Sequence, residues 1–468
     1  MIVSLCMDYY RYNLIPIFLL LSFCLSERGD IISTQIVSTR DIDNNQIYIE
    51  NELSVLASDD FFNLTVEYGY WMYNIVYETI DKHGNPTQAS GVIAFPRSDW
   101  PNQKNQDYPI LSYQHGTVVE KDAVTSQSGI WILPALIAGY GYVYLEADYL
   151  GLGISDGLHP YQIKEPYGTD VVDLIRAADQ FSNINDDFQI NSQLFLAGYS
   201  EGGYATMATH QIIERDYSEE IDITASFPMA GAYDMSGIMT DVMLDYTPYG
   251  EPYYFPYVLF SYCDSYQNLL APVENYLLPE YASILPELFD GTHSGAEINE
   301  VMPSVPITIM KPDSISTFEE NLTHPLRIAL EENDLYGWTP EATMHIIHGI
   351  ADELVPFENA QLAYDTFLSN GANDVSLVPI PESFGGHQDA APFALLGAFE
   401  LAQELKIINE LGDFNQDGIL DVLDVLGIIN YIIQNESDNY YIWASDLNED
   451  DNIDILDIID LINTILNS

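Results

Sequence analysis

The segment Leu194-Phe-Leu-Ala-Gly-Tyr-Ser-Glu-Gly-Gly203 runs an apolar stretch straight into Gly198-x-Ser200-x-Gly202. An apolar strand that turns at once into a helix, with glycines on both sides of a serine, makes a tight elbow. Such an elbow lifts the serine hydroxyl above the end of a sheet. The glycines are a steric requirement, because the serine backbone is strained and bulkier neighbours collide with the adjoining strand and helix. Ala205-Thr-Met-Ala-Thr209 then supplies small side chains where that helix must pack closely. The segment predicts a mostly parallel sheet flanked by helices, an α/β fold, and makes Ser200 a candidate nucleophile. Stripped of its flanks it is only a glycine-rich turn.

Working outward, residues 59–408 alternate strand-like and helix-like stretches. Short apolar strands are expected at 90–95, 108–113, 141–146, 193–197, 342–347 and 375–379, with helices at 170–181 and 358–368 between them. Alternation of this kind predicts a parallel sheet covered by helices. One stretch breaks the rhythm. From about Tyr233 to Tyr336 the chain is rich in tyrosine and proline, as in Tyr246-Thr-Pro-Tyr-Gly-Glu-Pro-Tyr-Tyr-Phe-Pro-Tyr257. It is too long for a simple connection and reads as an inserted cap, a kind of element that often covers a site with aromatic surface. The bland alternative is a helical decoration with no part in binding substrate.

A serine hydroxyl needs a base to take its proton and an acid to orient that base. In this architecture the chain order is serine, then acid, then histidine. Downstream, Asp352 follows the strand 342–347, at the sheet edge where open parallel sheets bind ligands, and Glu353 is the weaker candidate. His387 lies in the glycine-rich Gly385-Gly-His-Gln-Asp389 after the next strand, with His345 and His348 as the alternatives. His115-Gly116-Thr117 follows the strand 108–113, where backbone N–H groups commonly face the developing oxyanion. The expected donors are Gly116, Thr117 and Glu201, each worth roughly 3–4 kcal/mol in the transition state. The side chain of Glu201 is expected to add acidity near the site, and Asp148-Tyr-Leu-Gly-Leu-Gly153 to be a structural turn at the pocket rim.

Tyr113-Gln-His-Gly-Thr117, Asp148-Tyr-Leu-Gly-Leu-Gly153, Gly198-Tyr-Ser-Glu-Gly-Gly203, His348-Gly-x-x-Asp352-x-x-Val-Pro356 and His387 together resemble the α/β-hydrolase superfamily. Within it they look like the secretory lipase and bacterial lipase/esterase group, over residues 59–408. The resemblance implies an α/β-hydrolase fold, a triad of Ser200, Asp352 and His387, and hydrolysis of carboxylic esters through an acyl-enzyme, with no cofactor for catalysis. The cap departs furthest from the family pattern, and Glu201 stands where Gln is common.

A second module occupies 409–468. Asp413-Phe-Asn415-Gln-Asp417-Gly418-Ile419-Leu-Asp421-Val-Leu-Asp424 is repeated, 33 positions on (413 to 446), as Asp446-Leu-Asn448-Glu-Asp450-Asp451-Asn452-Ile-Asp454-Ile-Leu-Asp457. Oxygen ligands at positions 1, 3, 5, 7, 9 and 12 match a calcium loop, with Ile419 and Asn452 at position 7 giving their carbonyls. Gly418 permits the sharp turn; Asp451 replaces it in the second loop, and Asp tolerates the left-handed region. An apolar helix follows each loop, and no Lys or Arg occurs beyond 408, so a metal ion would supply the missing positive charge. The pair looks like a type I dockerin, a family that binds two calcium ions and docks onto a cohesin.

Charge and the N-terminus bound the rest. The chain of 468 residues carries 72 acidic against 13 basic side chains, a formal charge of −59. Nucleic acid is excluded as a partner, since phosphate binding needs clustered Lys and Arg. A composition 47% hydrophobic is not that of a disordered polyanion. The apolar run Leu14–Leu25 behind Arg11 suits a secretory signal peptide over 1–26, with Met7 an alternative start, so the chain is expected to be exported to the cell surface or beyond. Phe23 before Cys24 disfavours a lipoprotein box. Cys6 and Cys24 fall in the leader, leaving Cys263 as the one thiol of the mature chain and no disulfide. Residues 27–58 read as an N-terminal arm. No other apolar run is long enough to span a membrane. The competing functions are a carbohydrate esterase acting on acylated polysaccharide, a serine peptidase of the same fold, and a catalytically inactive surface-binding scaffold.

Overall fold

The computed structural model describes residues 27–56, 64–97, 106–129, 131–185, 187–415, 419–434, 444–448, 450 and 452–467. The expected leader 1–26 with Cys6 and Cys24, and the loop positions Asp417, Gly418 and Asp451, lie outside the described residues.

Valine, isoleucine and tyrosine at alternating or continuous spacing form ten strands of one sheet. They are β1 (Ile31–Arg40), β2 (Gly69–Ile80), β3 (Pro86–Arg97), β4 (Gln106–Gln114), β5 (Val143–Ala147), β6 (Gln189–Tyr199), β7 (Ala225–Met229), β8 (Thr343–Gly349), β9 (Val375–Ile380) and the two-residue β10 (Asn409–Glu410). The order is β1-β2-β3-β5-β4-β6-β7-β8-β9, with β10 paired to β4. From β5 to β9 neighbouring strands are parallel, whereas β1, β2, β3 and β5 pair antiparallel. The strands β4 to β7 are buried on both faces, which is why they read as continuous apolar runs. The stretch expected as an N-terminal arm supplies β1, which pairs with β2 over Ile31–Arg40, and the helix Ile42–Leu56. The polar outward residues of an edge strand hide its period from a reading of the sequence.

The sheet separates two apolar cores. One face carries the helices Lys164–Ile184 and Glu201–Ile212 and the long segment between β7 and β8, which holds the helices Ile238–Leu244, Tyr254–Ser265, Pro279–Leu288, Pro312–Glu320 and Pro325–Glu332. The other face is covered by the helices Ile132–Gly139 and His387–Leu405, the latter through Ala390, Ala394, Ala398 and Ala402. Cys263 is a free, buried thiol in the helix Tyr254–Ser265, where burial pushes it up to about 12 and leaves it unreactive. Among the described residues no helix is long and apolar enough to cross a membrane.

Inside the fold sit carboxyl groups hydrogen-bonded to hydroxyls. Asp148 accepts from Ser90 and Ser126 at 2.5 Å each, Glu146 from Tyr144 at 2.5 Å and Thr125 at 2.9 Å, and Asp170 from Tyr77 at 2.8 Å. Burial pushes Glu146 up to about 7, Asp148 to about 6 and Asp170 to about 8. Groups raised in this way hold protons in the folded chain that the unfolded chain has already released. Their contribution is therefore fully present below the ordinary carboxylate range and is lost as pH rises through 6 to 8. Each group contributes a slope of up to about 1.4 kcal/mol per pH unit between its unfolded and its folded titration, where only the folded chain holds the proton. Thermal melts of the full chain in excess calcium should give a higher Tm at pH 5 than at pH 8. A Tm that is flat or rises over that interval contradicts this reading of the three acids.

Candidate active site

The elbow is dictated by space. Ser200 has φ 62° and ψ −121°, in the left-handed half of the map, and its N–H donates to the Met229 carbonyl at 2.8 Å. A Cβ on Gly202 would lie 1.9 Å from the Gln114 carbonyl oxygen, and one on Gly203 2.0 Å from that of Met229. A Cβ on Gly198 would lie 2.4 Å from the Gly202 carbonyl oxygen. All three partners are backbone atoms of β4, β7 or the elbow itself and cannot swing aside, so only glycine fits at each position.

The C-terminal ends of four parallel strands bring the remaining candidates to Ser200. Gly116 and Thr117 follow β4, Ser200 follows β6, Asp352 follows β8 and His387 follows β9. His387 Nε2 is 2.8 Å from Ser200 Oγ, and His387 Nδ1 is 2.6 Å from Asp352 Oδ2. The three side chains thus form one hydrogen-bonded line, with His387 at the first turn of the helix His387–Leu405 rather than in a free loop. The other Asp352 oxygen accepts backbone N–H groups from Leu354 at 3.0 Å and Val355 at 2.8 Å, which fixes the carboxylate plane. Burial acts to raise Asp352, but hydrogen bonds and charge from His348 and His387 outweigh it and hold the group at about 2. An acid at about 2 stays ionised through the working pH range and accepts the imidazole N–H throughout.

Neighbours that the sequence left ambiguous take distinct places. Glu353 Oε2 accepts the His387 N–H at 3.0 Å, so it anchors the backbone of the histidine. His348 is fully buried behind the acid, with Nε2 2.8 Å from the Val355 carbonyl and 3.3 Å from Asp352 Oδ2. His345 Nδ1 is 2.6 Å from Ser376 Oγ and its ring stacks on Phe227. Neither alternative histidine faces Ser200. The Tyr199 hydroxyl donates to the His387 carbonyl at 2.5 Å, tying the strand before the elbow to the start of the histidine's helix.

At the candidate oxyanion donors, the Gly116–Thr117 turn lies against the elbow: a Cβ on Gly116 would be 3.5 Å from the Tyr199 carbonyl oxygen. His115 braces the turn, with Nδ1 2.8 Å from the Gly116 carbonyl and Nε2 3.2 Å from that of Asp148. Thr117 Oγ1 is 3.1 Å from the Tyr161 hydroxyl. The Glu201 carboxylate is not the free acid expected near the site. It is 1% exposed, with Oε1 2.7 Å from His159 Nε2 and accepting the Tyr167 hydroxyl at 2.8 Å. Nothing in the sequence signals that pairing, because His159 lies 42 positions away. Above Ser200 opens a pocket of about 610 Å³, solvent mouth included, whose walls include Met235, Met239, Val242, Tyr249, Phe255 and Val258 from the segment between β7 and β8. Its apolar lining suits the hydrocarbon part of a ligand.

In the C-terminal module the two repeats fold alike. Asp424 Oδ1 accepts the Asn415 N–H at 3.2 Å and Oδ2 the Asp421 N–H at 2.8 Å; Asp457 takes the equivalent bonds from Asn448 at 3.3 Å and Asp454 at 2.8 Å. Asp450 N–H donates to Asp446 Oδ1 and Asn448 Oδ1 at 3.1 and 3.0 Å, winding the second loop around its first, third and fifth residues. The helices Val422–Gln434 and Ile455–Asn467 meet through Val425, Ile428, Ile458 and Leu461. Among the described residues no three His, Cys, Asp or Glu side chains are gathered as a metal-binding group, and position 5 of the first loop, Asp417, lies outside them. Asp413, Asp424 and Asp457 are nonetheless buried carboxylates in a segment with no Lys or Arg. Ile419 and Asn452 at position 7, and Asp421 and Asp454 at position 9, complete two all-oxygen donor sets of the kind a hard divalent cation takes.

Residues 114–395 match the secretory lipase family, and residues 411–466 match the dockerin type I domain. Among solved structures, a hydrolase of Legionella pneumophila superposes with a TM-score of 0.71 at 26% identity, covering 80% of this chain and 98% of its own. The rice cell wall degrading esterase LipA of Xanthomonas oryzae superposes with a TM-score of 0.68 at 26% identity, covering 80% of this chain and 96% of its own. Lipase A of Candida antarctica, in its closed state, shares the fold with a TM-score of 0.60 at 15% identity, covering 81% of this chain and 82% of its own. No curated protein sequence matches the chain.

Proposed function

The chain belongs to the secretory lipase family and is a carboxylic ester hydrolase, and from that premise we propose that it works through an acyl-enzyme on Ser200. The observation that carries the proposal is the line Ser200 Oγ, His387 Nε2 at 2.8 Å, and Asp352 Oδ2 at 2.6 Å from His387 Nδ1. His387 takes the Ser200 proton as Oγ attacks the ester carbonyl. Asp352, ionised, holds the Nδ1–H and stabilises the imidazolium that forms. The negative oxygen of the tetrahedral intermediate is received by backbone N–H groups of Glu201 and of Gly116–Thr117. Collapse breaks the C–O bond, and the His387 proton leaves with the alcohol. Water then repeats the sequence in reverse to release the acid and free Ser200.

In this reading the segment of about 233–336 is a cap that lines the acyl site within a catalytic domain of 59–408, extended N-terminally by β1 and the helix Ile42–Leu56, and the apolar pocket holds the acyl chain. Residues 1–26 are a cleaved leader, so the chain is exported. The module of 409–468 binds calcium through Asp413, Asn415, Asp417, Ile419, Asp421 and Asp424 and through Asp446, Asn448, Asp450, Asn452, Asp454 and Asp457. It then docks onto a cohesin. A second reading, a carbohydrate esterase on acylated polysaccharide, is favoured by the dockerin match together with the likeness to a rice cell wall degrading esterase.

A panel of p-nitrophenyl esters from acetyl to palmitoyl, run beside acetylated xylan, separates the two. Burying one methylene contributes about 0.8 kcal/mol, so kcat/KM should rise about fourfold per added methylene until the pocket is filled. Preference for acetyl esters with rapid deacetylation of xylan moves the function to the carbohydrate reading.

A further inference from the structure

The residue after the nucleophile carries a carboxylate that the hydrolytic steps do not use. Glu201 is buried beside Ser200, and among the described residues its Oε2 has no hydrogen-bond partner. Its Oε1 meets His159 Nε2 at 2.7 Å and the Tyr167 hydroxyl at 2.8 Å. His159 is 2% exposed, and its Nδ1 is 2.8 Å from the Leu150 carbonyl, an oxygen that only accepts. Nδ1 is therefore placed as a donor, and Nε2 meets the Glu201 carboxylate across the short contact. Without His159 that carboxylate would keep only the Tyr167 hydroxyl as a partner. Burial raises the hydroxyls of Tyr149, Tyr167 and Tyr257, and the carboxylate of Glu201 raises each of them further.

The same histidine also reaches the other half of the anion site. Its ring stacks at 5.6 Å on Tyr149, which stacks at 4.1 Å on His115, the residue that braces the Gly116–Thr117 turn. The Tyr149 hydroxyl donates to the His115 carbonyl at 3.1 Å. One column, His159–Tyr149–His115, thus links the Glu201 side to the Gly116 side.

We propose that His159 is a positioning residue that neutralises the Glu201 carboxylate, so that the backbone donors around Ser200 face an oxyanion with no second negative charge beside it. The proposal rests on the ester-hydrolase reading of the Ser200 site. A buried carboxylate on the residue next to Ser200 repels a negative oxygen bound at that site, and the repulsion is confined to states in which the substrate oxygen is negative. The loss therefore falls on the chemical step and not on ground-state binding.

The test is a double-variant cycle on the full chain with a soluble ester. His159→Phe keeps an aromatic ring in the column but removes the proton; kcat should fall about 100-fold, the scale of losing one oxyanion donor, with KM within threefold. Adding Glu201→Gln removes the charge that His159 balanced while keeping the Tyr167 hydrogen bond. The double variant should recover at least tenfold over His159→Phe, to the level of Glu201→Gln alone. A merely structural role gives a double variant no better than the worse single one, and that result overturns the proposal, as does a His159→Phe enzyme with unchanged kcat. His159→Gln, which still donates to Glu201 but carries no charge, is the second variant should the phenylalanine impair folding, and the same recovery is expected on pairing it with Glu201→Gln. Absence of ester turnover by the unaltered enzyme would instead overturn the ester-hydrolase reading.

Discussion

Replacing Ser200 with alanine is expected to lower kcat on a soluble ester by roughly a millionfold, leaving only the rate that binding and the backbone donors provide. The fold has no reason to change. The elbow is held by the Ser200 N–H to the Met229 carbonyl and by the glycine contacts, none of which uses the hydroxyl. Removing His387 should cost about as much, because nucleophile and base act as one unit and losses within a unit do not add. Far-UV circular dichroism and the melting transition should superpose on those of the unaltered chain. Activity of His387→Ala above a hundredth of normal would require another base. His348 lies behind Asp352, 3.3 Å from its Oδ2, and His345 is turned to Ser376, so neither is placed to serve.

Chelation of calcium is expected to unfold the C-terminal module while leaving ester hydrolysis intact. The module's own apolar core is small, formed of Val425, Ile428, Ile458 and Leu461 with a rim of partly buried neighbours. A module of this size rarely holds itself together on such a core without a metal or disulfides, and residues 409–468 contain no cysteine. Its buried Asp413, Asp424 and Asp457 have no Lys or Arg within the module to balance them. In EGTA the helical signal of Val422–Gln434 and Ile455–Asn467 should disappear and return on adding calcium, since metal binding and folding are one equilibrium. The kcat should stay within twofold, because His387 and Asp352 are engaged with Ser200 and with each other and lie outside residues 409–468. Loss of esterase activity in EGTA, or a module that keeps its helices there, contradicts this account.

How much could be read from the amino-acid sequence follows from the range of the forces involved. The elbow was legible because its constraint is local: Gly198, Gly202 and Gly203 each face a backbone carbonyl that forbids a Cβ. The order of acid and histidine was legible because each follows a strand that is an apolar run in its own right, β8 and β9. Four strands were missed for physical reasons. β1 is an edge strand with no buried residue, β2 mixes tyrosines with polar residues, the five-residue β7 contains Pro228, and β10 is only two residues long. Glu353 and His348, which brace the histidine and the acid, were ambiguous because two carboxylates and two histidines sit within a few residues of one another, and only the fold shows that Asp352 meets His387 while His345 and His348 turn away. The His159–Glu201 contact spans 42 positions and has no sequence pattern at all. The dockerin repeat was legible because its spacing of acidic residues lies within one continuous segment.

The most direct test of the central claim is labelling with a fluorophosphonate, followed by peptide mass mapping and a rate assay on the same sample. The phosphonyl group bonds only to a serine whose proton a neighbouring base removes. One adduct, on the peptide containing Ser200, with ester turnover falling in proportion to its yield, is the predicted result. Full turnover surviving complete modification of Ser200, or inactivation with the adduct on another residue, would contradict the assignment of Ser200 as the nucleophile.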